Sequence, residues 1–139
     1  MKDIRDVAEF KSGRFLPILP DKCQVNPRTY GAELAFWLAG KLAQQGIVTS
    51  YPEPEDWCWM LEFEADERAF FQIICSNVEG SDQHWSISIA RCGRGWFNRA
   101  TPSFEKAQGL VNAIRFVLYA AVPPEDIDWH YADAPPVQA

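Results

Sequence analysis

Three short apolar segments follow one another between residues 57 and 91, each of strand length and each ended by turn residues. Trp57, Trp59, Leu61 and Phe63 alternate with Cys58, Met60, Glu62 and Glu64, the period of a strand with one buried face. After a tight turn at Ala65-Asp66-Glu67, residues 68–77 are apolar on both faces (Phe70, Phe71, Ile73, Ile74), which suits a central strand. Beyond a loop at Glu79-Gly80-Ser81-Asp82, residues 84–91 set Trp85, Ile87 and Ile89 against His84, Ser86 and Ser88. The pattern predicts an antiparallel meander, wet on one face.

Two helices flank it. Asn26 as N-cap and Pro27 at the first helical position open the first, and Gly46 is its expected left-handed stop. Tyr30, Leu34, Trp37, Leu38 and Leu42 give its apolar stripe. Thr101-Pro102 repeats the cap-and-proline start, and Phe104, Ala107, Leu110, Val111, Ile114, Val117, Leu118 and Ala121 trace a second stripe that ends before Pro123-Pro124. Short strands are expected at residues 15–20, where prolines favour a sheet edge, at 47–51, and at 127–131, where Ile127, Trp129 and Tyr131 alternate with Asp126, Asp128 and His130. Residues 1–12 read as an N-terminal segment, a short helix docked by Ile4, Val7, Ala8 and Phe10 or a frayed end, and residues 132–139 as a disordered tail. The predicted fold is a single α+β domain over residues 13–131. It is a two-layer sandwich: a mainly antiparallel sheet of five or six strands, with two long helices on one face.

Nineteen aromatic residues in 139 are ample for a core, and a net charge of −6 repels bulk nucleic acid and anionic membrane. The charged start Met1-Lys2-Asp3-Ile4-Arg5-Asp6 lacks the apolar stretch of a signal peptide, and residues 116–122 are too short for a membrane span. A cytoplasmic setting is therefore expected. Cys23, Cys58, Cys75 and Cys92 are too widely spaced for a paired-cysteine metal or redox site and are read as reduced, small hydrophobes.

The run Gln24-Val25-Asn26-Pro27, Tyr30-Gly31, Glu33-Leu34-Ala35, Trp37-Leu38-Ala39, Gly46-Ile47, then Pro54-Glu55-Asp56-Trp57 and Trp59, resembles a group of small bacterial proteins with no established activity. The resemblance covers residues 14–131 and implies this fold and a cytosolic setting, with no catalytic residues. Those proteins tend to have glycine where this chain has Cys58, which argues against a role for that thiol.

Seven carboxylates and no Lys or Arg lie between Tyr51 and Glu67, three of them in Tyr51-Pro52-Glu53-Pro54-Glu55-Asp56-Trp57. Two prolines stiffen this acidic turn. Glu53, Glu55 and Asp56 would steer a basic protein partner, with Trp57 as the desolvated anchor; otherwise the turn is solvated surface and Trp57 is core. The alternative site is the loop at residues 91–99, where Arg94 and Arg99 with Trp96 could hold an anion, nucleotide or single strand by charge and stacking. Gly93-Arg94-Gly95 matches no dinucleotide or phosphate-loop fingerprint. A Cys-His nucleophile pair would need His84 or His130 beside a thiol, and Glu62 with Glu64 has nothing to push the two acids apart. No catalytic residue, metal or cofactor is therefore assigned. The expected function is non-enzymatic binding of a basic protein, for example as an immunity-type protein, with small-ligand or nucleotide binding as the alternative. The aromatic content leaves room for an apolar patch and a homodimer.

Overall fold

The computed structural model describes residues 6–66, 69–92 and 104–130. Among these residues it is α+β: six antiparallel strands, two α-helices and four short 3-10 turns. The strands are β1 (Val7–Lys11), β2 (Glu53–Pro54), β3 (Trp59–Asp66), β4 (Ala69–Asn77), β5 (His84–Cys92) and β6 (Ile127–His130), and the helices α1 (Ala32–Gln44) and α2 (Gln108–Tyr119). The sheet order is β2-β3-β4-β5-β1-β6.

The meander is as the alternation predicts. Leu61 pairs with Ile73 and Ile73 with Ile89, while Cys75 pairs with Ile87, Ile87 with Ala8, and Ala8 with Trp129. With Phe71, Trp85, Phe10 and Ile127, these rows join Leu34, Leu38 and Leu42 of α1 and Leu110, Val111, Ile114 and Leu118 of α2 in one buried cluster. The opposite pleat carries the rows Met60, Ile74, Ser88, Val7, His130 and Ser76, Ser86, Glu9, Asp128. No helix among the described residues is long and apolar enough to cross a membrane.

Several local expectations fail, each for a long-range reason. The segment read as a short helix or a frayed end is the interior strand β1, held between β5 and β6. Its apolar residues serve the pleat, with Ala8 and Phe10 in the core and Glu9 between them on the other side. Residues 15–20 are not a strand: a 3-10 turn, Gly13–Phe15, drives Phe15 into the core and leaves Ile18 and Leu19 exposed. The first helix begins at Ala32, not near Pro27. Arg28 turns left-handed at φ 61°, and Gly31 at φ 148° carries the chain over β4, where a Cβ would lie 2.8 Å from the Cys75 carbonyl oxygen. At the other end Gly46 is left-handed as expected, and the Gly46 and Ile47 amides donate to the carbonyls of Ala43 and Leu42. Residues 47–51 do not form a strand, although the Ser50 amide donates to the Glu62 carbonyl at 2.8 Å. Thr101-Pro102 and the tail 132–139 lie outside the described residues, and α2 follows the 3-10 turn Phe104–Ala107.

Candidate binding site at the acidic hairpin

Pro54 lies in the edge strand β2, where a residue without an N–H is tolerated, and Pro52 just before that strand is buried. Glu53 pairs with Met60 and Pro54 with Trp59, and the Glu55 amide then donates to the Cys58 carbonyl at 2.8 Å. That bond closes a loop whose two tip residues are Asp56 and Trp57. A second tether comes from far along the chain, because the Asn26 side-chain amide donates to the Asp56 carbonyl. Trp57 therefore sits two residues before the strand that its alternation suggested it would open.

The consequence is exposure. Trp57 is 64% accessible, against 0% for Trp85 in the core. Glu53, Glu55 and Asp56 are exposed, and none of them makes an ion pair among the described residues. The structure thus brings together all four residues expected at this site. Beside the tip, Glu55, Asp56 and Trp57 border a shallow depression of about 240 Å³ with Met60, Gln72 and Ile74 on its floor. The Cys58 thiol at its edge is pushed up in pKa, first by burial and then by the Glu55 carboxylate, which disfavours the reactive thiolate.

Across the same face of the sheet lies a cluster that local sequence reading could not assemble. His84 Nε2 is 2.6 Å from one Glu9 carboxylate oxygen and His130 Nε2 is 3.3 Å from the other. These histidines come from β5 and β6, on either side of β1, so only the strand order brings them to one carboxylate. Their polar parity was legible; their shared partner was not. Glu9 and His84, with Lys11, Asp126 and Asp128, border a second open cleft.

Cys75 points into the core and is fully buried, which pushes its thiol pKa far up. Both histidines contact Glu9 on the other pleat, so no Cys75-His pair exists. No group of three His, Cys, Asp or Glu among the described residues is arranged to hold a metal ion. Arg94, Trp96 and Arg99 lie outside the described residues.

No family model, no curated protein and no solved structure matches the chain.

Proposed function

We propose that this is a non-enzymatic cytoplasmic binding protein that grips a basic protein partner with the hairpin Glu53, Glu55, Asp56 and Trp57. The observation that carries this reading is the large exposed ring of Trp57, directly after the unpaired carboxylates of Glu55 and Asp56 on a loop tethered at Asn26. Tryptophan is among the residue types most enriched at the energetic centres of protein interfaces. The depression beside it suits an Arg or Lys side chain of the partner. Met60 and Ile74 would receive the aliphatic stem, the Trp57 ring would take a cation on its face, and Glu55 and Asp56 would meet the charge. In this reading both helices cover one face of the sheet. The other face, with Glu9, Asp126 and Asp128 toward its far edge, extends the negative surface. Neutralisation of a basic toxin domain, as by an immunity-type protein, is one function such a surface serves.

The test is capture of the partner by tagged protein at low and high salt, with a variant in which Glu53, Glu55 and Asp56 are all changed to Lys. The expected result is a basic partner retained at low salt, weakened as salt rises and lost with the triple variant, whose fold is intact by circular dichroism. Retention of the same partner by the triple variant sinks the reading.

A further inference from the structure

A second site lies at the C-terminal ends of the two helices, away from the acidic hairpin. There Trp37, Lys41, Gln44 and Gln45 of α1 and its cap face Phe116, Val117, Ala120 and Ala121 of α2 and its exit, with Arg14 alongside, around a groove of about 220 Å³. Its apolar lining comes from Val117, Trp37 and Phe116, the last 62% exposed.

The charge around it is unusual for this chain. In a protein of net charge −6, both charged residues that border the groove are cations, and neither Arg14 nor Lys41 makes an ion pair among the described residues. Arg14 is held by the turn it belongs to: its amide donates to Ser12 Oγ at 3.0 Å, and the neighbouring Phe15 ring packs edge-on to Trp37 at 5.1 Å between centroids. Three carbonyls at the ends of the two helices are capped by backbone amides. The Gly46 and Ile47 amides take the carbonyls of Ala43 and Leu42, and the Ala121 and Val122 amides take that of Leu118. Against the roughly half negative charge that each helix C-terminus presents, the two full side-chain cations leave the groove net positive.

We propose that this groove binds a small organic carboxylate with an aromatic or aliphatic body, the apolar part against Trp37 and Val117 and the carboxylate between Arg14 and Lys41. The volume, below the roughly 300–1,000 Å³ of drug-sized pockets, matches a single-ring carboxylate better than a nucleotide.

The experiment is a titration of the isotope-labelled full chain by amide NMR, with benzoate as probe and benzamide and benzylamine as its neutral and cationic counterparts. Benzoate should shift the amides of Lys41, Gln45, Phe116 and Ala121 and bind more tightly than either counterpart. Changing Arg14→Gln together with Lys41→Gln should weaken benzoate about tenfold and leave benzamide unchanged. Because Ala120 is exposed, Ala120→Trp should fill the groove without unfolding the chain and abolish binding. Three outcomes overturn the proposal: no shift at these amides up to about 10 mM benzoate, benzylamine binding as tightly as benzoate, or undiminished binding by the Ala120→Trp protein.

Discussion

The side-chain amide of Asn26 reaches across the fold to the main-chain carbonyl of Asp56, thirty residues away in sequence. The residue that looks most like a helix cap is thus occupied in fixing the acidic hairpin, and α1 starts six residues later, at Ala32. Replacing Asn26 with Ala removes that tether while leaving the helix start untouched. The expected loss is about 1 kcal/mol in urea unfolding, with faster hydrogen exchange at the Glu55 amide. Unfolding that begins in α1 instead would mean that Asn26 acts as a cap after all.

Two helix-region glycines should respond in opposite directions to the same change. Gly31→Ala meets the Cys75 carbonyl at 2.8 Å from a left-handed backbone and should cost about 2–4 kcal/mol. Gly40, inside α1 with nothing within 4 Å of its missing Cβ, should gain roughly 0.5–1 kcal/mol on becoming Ala. Denaturant midpoints of the two variants compare these directly.

Trp57 and Trp85 separate binding from stability. Trp85→Ala empties a fully buried site and should destabilise by about 3–5 kcal/mol. Trp57→Ala should leave the melting curve in place and weaken partner capture by about thirtyfold. A Trp57 variant that melts early would place that ring in the fold rather than in the interface.

The buried thiol of Cys75 predicts a pH dependence with a definite sign. Burial raises its pKa above the ordinary value near 9, so the folded chain keeps a proton that the unfolded chain loses at alkaline pH. Stability from this group is complete below about pH 9 and falls above it, by about 1.4 kcal/mol per pH unit. Cys58 adds to the loss in the same direction, and so does Tyr30, raised chiefly by its hydrogen bond to Asp21. Cys75→Ala should flatten most of the alkaline slope in chemical denaturation. Alkylation of the native protein should modify exposed Cys23 first, Cys58 slowly, and Cys75 only on unfolding.

What the sequence made legible was what depends on neighbours in the chain. The pleat of Trp85, Ile87 and Ile89, the left-handed stop at Gly46 and the alternation of Ile127 with Asp128 all follow from local rules, and the structure keeps them. Val7–Lys11 did not read as a strand because only its pairing with β5 and β6 makes it one. At the site, the clustering of Glu53, Glu55 and Asp56 was plain. Whether Trp57 faced core or solvent turned on a two-residue shift in where β3 begins, and that shift is set by the Glu55–Cys58 hairpin bond. The meeting of His84 and His130 at Glu9 had no sequence signal, since it joins three strands from opposite parts of the chain.

The place of β1 has a consequence for how the molecule is made. Phe10, among the first described residues to leave a ribosome, pairs with Ile127, among the last. The meander and α1 can form while synthesis continues, but β6 has nothing to dock against until β1 is seated beside β5. Closure of the sheet therefore waits on its most distant pairing, a slow step by contact order. Trimming a few residues from the front of this domain would remove an interior strand and leave the last one without a neighbour.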